Sequence, residues 1–294
     1  KFSEFEIGYQ LYSNCKRIGI TGTNGKSTTV SILGMIYDNV VGNIGKPVTS
    51  LPDKIKYNDS IVTEVSSFQL RFIDKFRPNI CAILNITTDH MDYHKDFEDY
   101  KNTKLKIAMN QKEDDFILLP YDFEFDNELK CLSKKIYFGK KLSNKDCVYE
   151  ENNEVILFLD NVETKMFNIP DNKLIGYFNK MNIIVAGTIA YLDGKKRNLI
   201  EDAIKNFEPL EHRLEHFLSI GQTKFINNSV STNADSCISS IKLYNNPIIL
   251  ILGGVTKNNN PYEKIFNFIK SKNNIKKILC YGDSVNEILE INKL

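Results

Sequence analysis

Apolar residues follow two rhythms along this chain. Short, nearly unbroken apolar runs at Arg17–Thr21, Ser60–Val65, Asn79–Ile86, Asp115–Pro120 and Lys135–Gly139 predict strands. Runs of that kind suit strands buried on both faces, as in a parallel α/β sheet. Cys147–Tyr149 and Val155–Leu159, joined by Glu150–Glu154, predict a hairpin, and a long helical pattern covers Tyr177–Leu192. Asn206–Arg213, which contains Pro209, predicts a linker. Beyond it, strands at Phe225–Asn227, Ile248–Leu252 and Lys277–Tyr281 alternate with helices near Asp235–Tyr244, Tyr262–Lys270 and Ser284–Ile291. The pattern predicts two α/β domains, 1–208 and a smaller 209–294, without internal repeats.

A chain of 294 residues has the length for two domains and a sizeable core. Its 42% hydrophobic and 26% charged residues exclude a disordered or low-complexity protein. Lys+Arg total 38 against Asp+Glu 37, so no global field draws in nucleic acid or an acidic membrane. Cys15, Cys81, Cys131, Cys147, Cys237 and Cys280 form no C-x-x-C pair, which points away from a zinc knuckle or disulfide framework. No apolar run approaches the ~18 residues of a membrane span, and no leader pattern precedes the first predicted strand. A reduced cytoplasmic setting is expected.

The strongest chemical signal is Arg17-Ile18-Gly19-Ile20-Thr21-Gly22-Thr23-Asn24-Gly25-Lys26-Ser27-Thr28, a strand entering glycines before Lys-Ser opens a helix with Val30, Leu33 and Ile36 on one face. Backbone N–H groups, a helix N-terminus and Lys26 suit a polyphosphate, and Ser27 suits its magnesium. The strict G-x-x-x-x-G-K-[ST] spacing is not met, since Ile20 stands where the first glycine belongs. A second cluster, Thr63-Glu64-Val65-Ser66-Ser67-Phe68-Gln69-Leu70, ends an apolar strand in a carboxylate, hydroxyls and an amide. Glu64 is thereby placed to reach a cation, while helix capping accounts equally well for Ser66 or Ser67. The run Asn85-Ile86-Thr87-Thr88-Asp89-His90-Met91-Asp92-Tyr93-His94 is dense in metal-ligating types, although solvated loop histidines are the commoner case. Phe97, Tyr100, Lys104, Ile107 and Ala108 recur at helical spacing and set the Lys104 amine on a buried stripe. Such an amine either snorkels to the surface or takes a special role, for example adding carbon dioxide to become a carbamate.

Taken in order, Gly22-Thr23-Asn24-Gly25-Lys26-Ser27, Gly42-Asn43-Ile44-Gly45-Lys46-Pro47, Glu64–Leu70, Asp89-His90-x-Asp92, Lys104-Leu105-Lys106 and His212-Arg213-Leu214-Glu215 resemble the Mur ligases. The Gly-Asn-Ile-Gly and Glu-Val-Ser-Ser-Phe-Gln-Leu segments are most similar to the branch that adds D-glutamate. The resemblance implies a central P-loop ATPase domain with a mostly parallel sheet and a smaller Rossmann-like α/β C-terminal domain. It also implies that the family's N-terminal UDP-binding domain and the last part of its C-terminal domain lie outside this chain. The implied activity is ATP-dependent addition of D-glutamate to UDP-N-acetylmuramoyl-L-alanine in peptidoglycan precursor synthesis, by a cytoplasmic monomer.

Carried over, the resemblance gives Lys26, His90 and Lys104 catalytic roles. It makes Gly22, Thr23, Asn24, Gly25, Lys26, Ser27, Thr28, Asn179, Asn182, Arg213 and Asn228 ATP contacts. Asn43, Ser66, Gln69, Thr232 and Lys257 become substrate contacts. Two magnesium ions would be held, the first by Ser27 and Glu64, the second by His90 and Lys104 as a carbamate. The family's usual Asn-Asp-Ser-Lys-Ala-Thr-Asn is here Asn227-Asn228-Ser229-Val230-Ser231-Thr232-Asn233, Thr256 replaces an acidic residue, and Phe178 replaces a histidine. Two alternatives stand beside this reading: a sibling Mur or folylpolyglutamate-type ligase, separable by substrate profiling, and a catalytically weak ATP-binding homologue.

Overall fold

A computed structural model describes residues 3–52, 55–56, 59–255 and 261–291. It divides into two units, the described residues of Lys1–Ile86 with Lys101–Glu208, and those of Thr87–Tyr100 with Pro209–Leu294.

The first unit is built on nine strands: β1 (Lys16–Thr21), β2 (Asn39–Gly42), β3 (Ser60–Glu64), β4 (Ile80–Ile83), β5 (Phe116–Pro120), β6 (Lys134–Phe138), β7 (Cys147–Glu151), β8 (Glu154–Leu159) and β9 (Val162–Asn168). They form one sheet in the order β2-β3-β1-β4-β5-β6-β7-β8-β9. Pairing is parallel from β2 to β7 and antiparallel for β8 and β9. Every residue of β3 and β4 is buried, as the continuous apolar runs predict for inner parallel strands.

Its helices are α1 (Glu4–Leu11), α2 (Lys26–Gly34), α3 (Ser67–Leu70), α5 (Tyr177–Leu192) and α6 (Arg197–Asn206); α4 (Phe97–Leu105) begins in the segment grouped with the second unit. Each of Met181 through Ala190 in α5 is buried, the polar Asn182 and Thr188 included, so this stretch of the helix fills the core. Its C-cap, Asp193, accepts hydrogen bonds from Ser60 Oγ at 2.6 Å, Tyr37 Oη at 3.0 Å and Lys16 Nζ at 3.1 Å. That cluster ties the far end of α5 to the starts of β1 and β3.

The second unit holds the antiparallel pair β10 (Glu215–Ile220) and β11 (Thr223–Asn227), the parallel pair β12 (Ile248–Gly253) and β13 (Ile275–Tyr281), and helices α7 (Ala234–Ile241), α8 (Tyr262–Lys270) and α9 (Val285–Ile291). Its core joins Ala234, Ile238, Tyr262, Ile265, Phe266 and Ile288.

Several local expectations need correction. The strand expected over Asn79–Ile86 spans only Ile80–Ile83, because Asn79 accepts from Arg17 N through its side chain and Asn85 turns to the neighbouring loop. Helix α2 stops at Gly34, so Ile36 lies beyond it and Ile32 joins Val30 and Leu33 in the core. The α4 stripe likewise ends at Leu105, with Ile107 and Ala108 buried in the 3-10 turn that follows. The expected linker is shorter than Asn206–Arg213 at its start, since α6 includes Asn206. The sequence pattern does not predict α1, β2, β9, α6 or β10. Among the described residues, no helix is long and apolar enough to cross a membrane, and all six cysteines are free thiols.

Candidate functional site

In the first unit, β1 delivers the chain into a loop that ends at Gly25, the N-cap of α2, whose φ of 90° is left-handed. A side chain at Gly25 would be strained by that φ, and its Cβ would come within 2.6 Å of Asn182 Oδ1 and displace it. The loop is clamped by Asn85, at the exit of β4. Asn85 Oδ1 accepts from Asn24 N at 2.8 Å, its Nδ2 donates to Asn24 O at 3.0 Å, and its carbonyl accepts from Thr23 N at 2.9 Å. Asn85 stands in the run His90 belongs to, and the sequence assigns it no role; an amide side chain two residues past the end of an apolar strand is the signal that marks it.

Two lysines converge on this loop. Lys26 Nζ donates to Gly22 O at 2.8 Å and Thr23 O at 2.9 Å, and Lys104 Nζ donates to Gly22 O at 2.9 Å. Lys104 is only 2% exposed, so it does not snorkel to solvent. Ser27 follows at the helix start, half-buried, and the Thr28 hydroxyl is buried with no hydrogen-bond partner among the described residues. Asn182 therefore lies against the loop, and its Nδ2 reaches Asn179 Oδ1 at 3.4 Å while Asn179 Nδ2 donates to Ile175 O at 2.9 Å.

Beside β1, β3 carries Glu64 at its carboxyl end, in register with Ile20. Glu64 is 2% exposed; its Oε1 accepts from Asn43 Nδ2 at 2.9 Å, and its Oε2 is buried with no hydrogen-bond partner among the described residues. A buried, unmatched carboxylate oxygen is costly, and a cation satisfies it. With a hydroxyl at Ser27, the donor set is the hard oxygen type that magnesium prefers, so these residues fit that ion. Ser66 and Gln69 form a capping box on α3: Gln69 N donates to Ser66 Oγ at 3.3 Å, and Ser66 N donates to Gln69 Oε1 at 2.9 Å. Capping thus accounts for both polar side chains within the unit.

The second unit holds the other candidates. His90 has a φ of 56°, and its N donates to Asp89 Oδ1 at 2.9 Å. His94 is buried, with Nδ1 3.3 Å from Asp99 Oδ2 and its ring edge-on to Tyr100. Asn228 uses both ends of its amide internally, accepting from Leu214 N at 3.2 Å and donating to Ser240 Oγ at 2.7 Å. Arg213 is half-buried, with its N donating to Leu210 O at 3.2 Å, and Thr232 is exposed. Lys257 and Thr256 lie outside the described residues. Of the departures, Phe178 and Val230 are both exposed. Among the described residues, no group of three or more His, Cys, Asp or Glu side chains could by itself hold a metal ion.

The loop before α2, with its N–H groups, helix N-terminus and Lys26, is equipped to hold a polyphosphate, and Glu64 to hold the accompanying cation. Comparison with known proteins agrees with that construction. The profile of the Mur ligase middle domain matches residues 20–190. A UDP-N-acetylmuramoylalanine--D-glutamate ligase of Clostridioides difficile (strain 630) is 40% identical, covering 97% of this chain and 64% of the relative. One from Thermoanaerobacter sp. (strain X514), bearing the same name, is 36% identical with the same coverages, 97% and 64%. The chain thus spans about 64% of the length of the curated relatives it matches. Among solved structures, MurF from Acinetobacter baumannii superposes with a TM-score of 0.73 at 17% identity, over 97% of this chain and 68% of that one. The MurF ligase of Thermotoga maritima in complex with ADP gives 0.67 at 15% identity, over 98% and 75%. At those identities the structural matches establish the fold alone.

Proposed function

The chain belongs to the Mur ligase family, and we propose that it joins D-glutamate to UDP-N-acetylmuramoyl-L-alanine at the expense of ATP. The observation that carries this reading is the placement of a polyphosphate cradle at the β1–α2 loop beside the buried, unmatched Oε2 of Glu64 at the end of β3. The substrates come from the names of relatives at 40% and 36% identity.

In this reading the γ-phosphoryl group passes to the alanyl carboxylate of the muramoyl substrate, and the amine of D-glutamate then displaces phosphate from the acyl phosphate to form the amide. Lys26 and the α2 N-terminus hold phosphate charge, Asn85 keeps the loop in shape, and Asn179 with Asn182 stand where the nucleotide base is proposed to lie. Magnesium held by Ser27 and Glu64 would neutralise charge as the phosphoryl group moves. Lys104, proposed to carry a carbamate, would turn a buried cation beside Lys26 into an anion suited to a second magnesium ion. Little covalent work falls to the protein; positioning and charge neutralisation dominate.

The test is phosphate release from ATP by the full-length protein with UDP-N-acetylmuramoyl-L-alanine and a panel of amino acids. Release that requires both the muramoyl substrate and D-glutamate is expected. Release driven by another amino acid, or by a folate, identifies a sibling ligase, and none with any acceptor identifies a nucleotide-binding homologue.

A further inference from the structure

The turn after β2 is shaped around Glu64. Gly42 N donates to Lys46 O at 2.7 Å, which folds the turn back on itself. Gly42 has a φ of 99°, and a Cβ there would come within 2.3 Å of the Glu64 carbonyl oxygen, so the turn approaches β3 more closely than any side chain allows. The next residue, Asn43, then holds Glu64 at two points. Its N donates to Glu64 O at 2.9 Å, and its Nδ2 donates to Glu64 Oε1 at 2.9 Å. The backbone contact fixes where Asn43 sits, and the side-chain contact fixes the plane of the carboxylate.

From this geometry we infer that Asn43 is a positioning residue for Glu64: it occupies Oε1 and leaves Oε2 as the single oxygen presented to the cation. The inference rests on the reading of Glu64 as a magnesium ligand. It differs from a substrate-contacting role for Asn43, which would act at the exposed side of the amide and leave cation affinity untouched. Without the amide, the Glu64 side chain is free to rotate about its last torsion, and the oxygen aimed at the ion is no longer selected. Hydrogen-bonded partners of metal ligands are worth about 10–100-fold in metal affinity. The lower end applies here, because Asn43 itself is exposed and water can replace part of its bond.

The experiment is a double-mutant cycle read by electron paramagnetic resonance of Mn2+, titrated into the chain in the presence of ADP. The proteins compared are the natural chain, Asn43→Ala, Glu64→Gln and the pair combined, with Asn43→Ser as a second variant should the alanine form not fold. Asn43→Ala is expected to weaken Mn2+ by about tenfold on the natural background and to have no further effect in Glu64→Gln. Thermal unfolding without metal should fall for Asn43→Ala, because Glu64 Oε1 loses its amide donor, and that loss is read apart from the Mn2+ affinity. Equal Mn2+ affinity in Asn43→Ala and the natural chain overturns the inference while leaving Glu64 as a ligand. The same loss on both backgrounds also overturns it, since Asn43 would then act independently of Glu64. A natural chain that binds no Mn2+ overturns the reading of Glu64 as a ligand, and this inference with it.

Discussion

Lys104 and Gly22 are separated by 82 residues, yet the Lys104 ammonium donates to the Gly22 carbonyl at 2.9 Å, the same oxygen that Lys26 approaches to 2.8 Å. The proposed carbamate on Lys104 therefore has a direct consequence for the loop before α2. Lys104→Ala is expected to lower turnover by about 10²-fold or more, the scale of losing one fixed charge in a reaction site. Short carboxylic acids that occupy the vacated space should restore part of it. Normal turnover by Lys104→Ala, or a natural chain indifferent to bicarbonate depletion, would remove the carbamate.

Glu64→Gln keeps the shape and the contact surface but removes the charge on the unmatched oxygen. The magnesium concentration for half-maximal activity should rise at least about tenfold, with the pH profile unchanged. A shifted pH profile with an unaltered magnesium requirement would make Glu64 a base instead.

Asn85→Ala strips the Asn24 backbone of both its donor and its acceptor partner. Losing bonds of this type costs about 1–3 kcal/mol when the partner is left unmatched. The expected readout is a KM for ATP raised by about five- to tenfold with a smaller change in KM for D-glutamate. Asn85→Asp, which keeps the acceptor for Asn24 N, should fall between.

At position 228 stability and nucleotide use can be separated. Asn228→Ala removes the links to Leu214 and Ser240 and should destabilise the second unit by about 1–2 kcal/mol in urea unfolding. Asn228→Asp retains the acceptor for Leu214 N, and the Ser240 hydroxyl can turn to donate to it. This variant is expected to stay folded and to lower the KM for ATP by about tenfold. A change in amino-acid choice with ATP use untouched would place position 228 elsewhere.

Burial against the second core pushes the Cys237 thiol from 9.0 to about 11. Between those values the unfolded chain has lost the proton and the folded one keeps it, so stability falls as pH rises through that window. Below pH 9.0 the contribution is fully present. Urea unfolding followed from pH 8 to 11 should show a decline that Cys237→Ala flattens.

The glycine loop before α2 and helix α5 are legible in the sequence for different reasons. Gly22, Gly25, Lys26 and Ser27 are constrained by local backbone chemistry, and the length of the apolar stretch marks α5. Helix α1 gives no sequence signal because Glu6 has the character of a surface residue. It is 0% exposed, and its carboxylate accepts from the N–H groups of Asp74, Lys75 and Phe76 at 3.1, 2.9 and 3.2 Å. Strand β9 mixes exposed polar positions with only two buried ones, a pattern that reads as loop without its partner β8. Strand β11 is expected at Phe225–Asn227 and found there, while its partner β10, exposed along most of its length, reads as loop despite the turn at Gly221-Gln222. The clamp of Asn43 on Glu64 spans 21 residues and depends on the sheet bringing β2 beside β3, so no local pattern could reveal it.

Helix α5 is held at two points, by Asn182 in its second turn against Gly25 and by its C-cap Asp193 among Lys16, Tyr37 and Ser60. Its 16 residues form a strut of about 24 Å. The buried stretch Met181–Ala190 cannot fray as the exposed first turn at Tyr177 and Phe178 can, so its amides open only when the surrounding sheet opens with them. Slow hydrogen exchange in the middle of α5 would then report the global stability of the first unit, and nucleotide held at the loop would lengthen protection as far away as the first residues of β1 and β3.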